Sequence, residues 1–192
     1  MKKRIPKPEK KSRKLFLPIF IALIMILSAL GFMWKGPSKD QYKYNNLLFT
    51  KTKNGWLTYV DNKAFLLTYS PRELENITAA ISLNNLNYAQ IIFFSLNPEE
   101  DVYQAVYDFQ TNMNNLFVPL LIPACTANVS KCINITLKNC QDATENAKVI
   151  IFKEENQTKI TYKNNCLTIQ GKGGNLTKAT DKLILTLIEQ IK

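Results

Sequence analysis

Hydrophobic and polar positions divide the chain into one unbroken apolar run and a longer segment of short, patterned ones. Residues 15–34, from Leu15 to Trp34, read LFLPIFIALIMILSALGFMW without a single charge. Twenty helical residues rise about 30 Å, the thickness of a bilayer's hydrocarbon core, so this run predicts one transmembrane helix. Pro18 falls near its start, where a lost hydrogen bond costs least, and Phe32 and Trp34 suit the far interface.

Beyond the run the period changes. Residues 36–45 are polar and predict a stalk. Residues 47–53, 56–60 and 64–69 predict a three-strand meander, with Asn54-Gly55 as a type I′ turn and Asp61-Asn62-Lys63 as the second turn. Ser70-Pro71-Arg72-Glu73 is a helix-start signature, continued by Leu74, Ile77 and Ile81 on one apolar face. Residues 90–96 (QIIFFSL) predict a central strand, and Asn97-Pro98-Glu99-Glu100 a second helix start. Val102, Ala105, Val106, Phe109 and Met113 form that helix's stripe. Residues 117–122 predict a further strand, pushed to an edge or a bulge by Pro119, and strand–helix–strand implies a crossover between parallel strands. Residues 123–147 are irregular. Three strands follow at 148–153, 158–162 and 166–170. Leu176, Ala179, Leu183, Ile184, Leu187, Ile188 and Ile191 make the buried face of a last helix.

These elements predict an α/β or α+β fold: a single domain with a mixed β-sheet and about three packed helices, preceded by one transmembrane helix. The expected divisions are a basic cytoplasmic tail at 1–14, the membrane helix at 15–34, a linker at 35–45 and an extracytoplasmic domain at 46–192.

Charge sets the orientation. The formal net charge is +10, but residues 1–14 hold eight bases and one acid, leaving 17 bases and 14 acids for the rest. Dense Lys/Arg beside an apolar span stays cytoplasmic, so the remainder is expected outside, held by a signal-anchor in the cell membrane. A cleaved signal peptide, with Ala29 and Gly31 before Phe32, is the alternative, and a pilin-type leader is disfavoured because Lys14 stands where a glycine belongs. The near-balanced remainder carries no basic stripe, which argues against a nucleic-acid partner. The tail is expected to meet anionic lipid.

Outside the membrane, four cysteines imply disulfides. The preferred pairing of the three possible is Cys125–Cys132, a short local loop, and Cys140–Cys166, tying that loop to the last strands. An all-cysteine zinc site lacks the usual tight pairs, and no metal or cofactor is expected. N-x-[ST] sequons stand at Asn76, Asn128, Asn134, Asn156 and Asn175, against about two expected by chance. They are possible glycosylation sites, with Asn76 inside the predicted helix at 70–81.

The chain has no histidine. That removes the commonest general base and every Ser-His or Cys-His arrangement, so no catalytic residue is assigned. Glu99, Glu100 and Asp101 are expected in a helix's first turn, where they complement its dipole. Gly171-Lys172-Gly173-Gly174 matches no nucleotide-binding loop and is expected to serve as a tight strand-to-helix turn. The N-terminal strands are rich in aromatic residues, and Trp56, Tyr59 and Tyr69 are a possible binding surface.

The Trp56 strand, Tyr69-Ser70-Pro71-Arg72-Glu73-Leu74, Asn139-Cys140-Gln141-Asp142-Ala143-Thr144 and Ala179-Thr180-Asp181-Lys182-Leu183 together resemble a loose group of uncharacterised, membrane-anchored archaeal proteins with small disulfide-containing ectodomains. The resemblance implies no activity. The expected function is binding of an envelope protein or a glycan. The alternatives are a histidine-free surface hydrolase, which needs two carboxylates about 5–10 Å apart across a cleft, and a subunit of a membrane assembly, with Ser28, Ala29 and Gly31 small enough for helix contact.

Overall fold

The computed structural model describes residues 16–33, 40–116 and 119–191. The chain separates into two units, residues 1–39 and 40–192. In the first, helix α1 spans Phe16–Met33. The side chains described on it are those of residues 18–26, and seven of these, Ile19, Phe20, Ile21, Leu23, Ile24, Met25 and Ile26, are 50–69% exposed. Among the described residues no helix is long and apolar enough to cross a membrane. Leu15 and Trp34, the ends of the predicted span, lie outside the described residues, as does the basic tail.

The second unit is an α+β domain with two sheets. Strands β1 (Gln41–Tyr44), β2 (Leu47–Thr52), β3 (Gly55–Val60) and β4 (Lys63–Leu67) form an antiparallel meander in that order. β1 lies within the stretch expected as a stalk. It pairs with β2 through Asn45-Asn46, whose φ values of 44° and 65° suit a two-residue hairpin. Asp61-Asn62 and Asn164-Asn165 turn the same way. Asn54-Gly55 does not. Gly55 has φ 138° and opens β3, and a Cβ there would lie 2.2 Å from the Leu67 carbonyl oxygen. That glycine is required by close backbone approach rather than by a type I′ turn.

The expected helix at 70–81 is a 3-10 turn, Pro71–Leu74. Glu73 Oε2 accepts the Ser70 N–H at 2.9 Å and the Ser70 hydroxyl at 2.6 Å, as the capping signature predicts, and these bonds hold the Glu73 carboxyl below its ordinary pKa. The turn does not propagate. Asn76, Ile77 and Thr78 are poor helix formers, and the segment is captured instead by Gln190, which accepts the Leu83 N–H and donates to the Ile81 carbonyl. A single helical turn, α2 (Asn84–Asn87), follows.

The second sheet has the order β6-β5-β7-β9-β8. β5 (Ile91–Leu96) is inside the sheet, parallel to β6 (Leu120–Cys125) on one side and to β7 (Ala147–Glu154) on the other. β9 (Cys166–Gly171) continues in parallel, and β8 (Lys159–Lys163) closes the edge antiparallel. The crossover through α3 (Tyr103–Leu116) joins parallel strands as expected, and β6 is an edge. Glu99, Glu100 and Asp101 precede α3 instead of opening it, because Asn97 forms a turn by accepting the Glu99 N–H. Ile92, Phe94, Ile150, Phe152, Leu167 and Ile169 face a core shared with α3, α4 (Gly174–Ile188) and the inner residues Phe49, Phe65 and Leu67 of the first sheet.

Helix α3 also holds the edge of the first sheet by hydrogen bonds. Asp108 Oδ2 accepts from the Thr68 hydroxyl, Asn112 bonds both the N–H and the carbonyl of Leu66 at 2.9 Å, and Asn115 donates to the Ala64 carbonyl. The helix positions i, i+4 and i+7 thus meet Thr68, just after β4, and Leu66 and Ala64 within it, covering an edge that would otherwise be open to pairing. Replacing Asn115 by alanine should lower stability by about 1 kcal/mol, read as a shift in urea midpoint. An unchanged midpoint would remove this bond from the account.

Candidate functional site

The four cysteines pair as Cys125–Cys132 and Cys140–Cys166, with Cα separations of 6.1 and 5.2 Å. They fasten residues 126–140 to the face of the second sheet turned away from α3 and α4. The Ser95 hydroxyl donates to the Lys138 carbonyl at 2.7 Å, Lys138 Nζ lies over Phe93, and Leu137 bridges to Cys125. All five sequon asparagines are exposed. Asn76 lies after the 3-10 turn and not in a helix. Asn175 is in the first turn of α4, and the Thr177 of its sequon is buried.

Trp56, Tyr59 and Tyr69 do not form one surface. Trp56 and Tyr69 pack partly buried against the core, whereas Tyr59 points out from the opposite face and is 65% exposed. Alternation along β3 puts positions 56 and 59 on different sides. Trp56 meets Tyr42 edge-on, with ring centroids 5.1 Å apart, and Lys51, Arg72 and Lys178 cover Trp56, Tyr42 and Tyr69. Burial pushes the Tyr42 hydroxyl up to about 12.

The carboxylates divide into two groups. Glu100 Oε2 accepts the Glu154 N–H at 2.6 Å and Glu154 Oε2 accepts the Asp101 N–H at 3.3 Å, so these acids tie the β5–α3 turn to the end of β7. They border, with Glu155 and Lys172, a polar hollow of about 270 Å³. The second group is buried. Asp108 is held by Thr68 and Gln104, and burial raises its pKa. Asp181 on α4 is fully buried. Its Oδ2 accepts the Tyr69 N–H at 2.8 Å, while Oδ1 has no hydrogen-bond partner among the described residues. Burial, with a smaller push from Asp108, raises the Asp181 pKa well above the ordinary carboxyl range. The nearby hollow of about 230 Å³, walled by Thr68, Tyr69, Asp101, Gln104 and the start of α4, has neither buried carboxylate in its wall.

A different cavity, of about 370 Å³, opens at the amino ends of β7 and β9, beside α2. Its wall is polar, formed by Asn84, Asn85, Asn146, Asn165, Tyr88, Tyr162, Glu145 and Lys148. Lys148 is 6% exposed. Its Nζ donates to Asn165 Oδ1 at 2.5 Å, and the Tyr162 hydroxyl lies 3.4 Å from the same oxygen and from the Asn85 carbonyl. Among the described residues the ion pair present is Lys153–Glu155, so Lys148 has no acid partner there. The asparagine that positions Lys148 has φ 63°, and its place in the β8–β9 hairpin turn aims its amide back at β7. Strand parity carries the signal for Lys148 in the sequence. Positions 148, 150 and 152 share one face, and Ile150 and Phe152 are core residues, so Lys148 must point inward with them.

The site therefore belongs to a disulfide-stapled α+β domain and is lined by asparagines, tyrosines, one glutamate and one lysine. Compared with known proteins, the chain matches no family model, no curated protein and no solved structure.

Proposed function

We propose that the chain is a single-pass membrane protein, amino terminus inside, whose extracytoplasmic domain binds an envelope component or a glycan in the pocket beside Lys148. Twenty uncharged residues after a dense basic tail support the anchor and its direction. The consecutive exposed apolar side chains of α1 support it too, since a helix apolar all round needs an apolar surrounding. Two disulfides and five exposed sequon asparagines agree with an oxidising, external compartment. The resemblance to membrane-anchored archaeal ectodomains points the same way. The observation that carries the binding role is the polar pocket itself, with several hydrogen-bonding groups converging on a hollow of ligand size.

Protease added to intact cells should digest residues 40–192 and spare the tail; complete protection of the domain would reverse the topology. Detergent-solubilised full chain should retain a fraction of labelled cell-envelope polysaccharide or protein. Retention of none would remove the binding role.

A further inference from the structure

We infer that the cavity beside α2 is a binding site for a carboxylate-bearing sugar residue of the uronic-acid type, whose carboxylate pairs with Lys148 Nζ. The inference deepens the glycan-binding reading and rests on it. Its starting point is an electrostatic imbalance. The Lys148 residue keeps 6% of its surface exposed, and where water is displaced from an ammonium an anion and hydrogen bonds must replace it. Lys148 has three N–H donors, and the neutral Asn165 amide takes one of them. A ligand anion supplies what the fold leaves out.

The surroundings narrow the ligand's chemistry. One cation favours one negative charge. Glu145, an exposed lining residue not ion-paired with Lys148, repels a second negative charge, so a carboxylate suits the site better than a phosphate dianion. Tyr88, 78% exposed, and the half-buried Tyr162 bring aromatic side chains to the cavity, the residue type that packs on the apolar side of a pyranose. The Asn84 and Asn146 amides each carry donors and an acceptor on one planar group, the arrangement that neighbouring hydroxyls of a sugar require. The volume of about 370 Å³ lies within the range of small-ligand sites.

The test is a binding titration by protein NMR, on the full chain in neutral detergent micelles, with sodium galacturonate, galactose and inorganic phosphate as probes. Galacturonate should shift the side-chain amide signals of Asn146 and Asn165, and bind at least tenfold more tightly than galactose or phosphate. Lys148→Met places an apolar chain on the core face and should remove that preference, leaving galacturonate and galactose equal. Asn165→Asp supplies an acid to Lys148 from within the fold, and should weaken galacturonate at least tenfold more than it weakens galactose. Lys153→Met, at an exposed lysine outside the cavity, should change nothing. Equal binding of the two sugars to the parent chain would overturn the carboxylate inference while keeping a sugar site. Tighter binding of phosphate than of galacturonate would overturn it also. Binding of no probe would remove both the inference and the glycan reading, and undiminished galacturonate binding to Asn165→Asp would detach the ligand from Lys148.

Discussion

At pH 8 the Asp181→Asn variant is expected to be more stable than the parent chain, by on the order of 2 kcal/mol, the scale of a buried charge without a counter-ion. At pH 4 the difference should nearly vanish. The reason is a proton held by burial. Asp181 is fully enclosed, the acids Asp108 and Glu73 add to the effect of burial, and the N–H groups of Tyr69 and Thr68 offset only part of the penalty, so its pKa is raised well above the ordinary 3.8. Over the interval between 3.8 and that raised value the folded protein keeps a proton that the unfolded chain has released. The folded state binds more protons there, so stability falls as pH rises, and the fall ends once folded Asp181 ionises. Asparagine retains an oxygen for the Tyr69 N–H and cannot ionise. Asp108, raised in the same direction, leaves a smaller slope of the same sign in the variant. Urea midpoints at pH 4, 6 and 8 measure the effect, and parallel pH profiles for parent and variant would refute it. Asp181→Ala separates the two roles of the residue. It abolishes the charge but orphans the Tyr69 N–H, so it should lower stability by about 1–3 kcal/mol at pH 4.

The fold was legible where pattern and local chemistry agreed, and obscure where tertiary partners decided. Alternating apolar residues located β2 to β5 and β7 to β9, and the stripe from Val102 to Met113 located α3. Cysteine spacing suggested both bridges. β1 is hidden in the sequence because QYKY has little apolar character and its hairpin turn, Asn45-Asn46, lacks a glycine. Helix 70–81 was over-extended because its capping residues are real, yet nothing after Leu74 sustains the period against Gln190. The site was harder still. Aromatic content points to Trp56 and Tyr69, which pack partly buried against the core, while the enclosed polar groups have the pattern of ordinary strand and helix positions. Asp108, Asn112 and Asp181 look solvent-facing until α3 and α4 are docked on β4 and the chain after it. Lys148 looks like a strand's charged end until its parity with Ile150 and Phe152 is counted.

Loss of the Cys140–Cys166 bridge should cost more than loss of Cys125–Cys132. The two close loops separated by 26 and 7 residues, and chain-entropy arithmetic assigns them about 3.5 and 2.4 kcal/mol. The larger effect is also the more accessible one. Cys140 is exposed, whereas Cys125, Cys132 and Cys166 are buried to within 4% of full enclosure. A reducing thiolate must reach a sulfur atom before exchange can occur, so access decides the order. Graded dithiothreitol, followed by alkylation and peptide mass spectrometry, should label Cys140 and Cys166 together while Cys125 and Cys132 remain paired, and the urea midpoint should fall at that first step. The Cys140Ser/Cys166Ser double variant should reproduce the fall without reductant. Because Glu145, Asn146 and Lys148 follow closely after Cys140, the same step should raise hydrogen exchange at the amino end of β7 before it does so in α3. Release of Cys125 and Cys132 first would show that the short loop, and not the bridge into β9, is the part of the cysteine segment that opens to solvent.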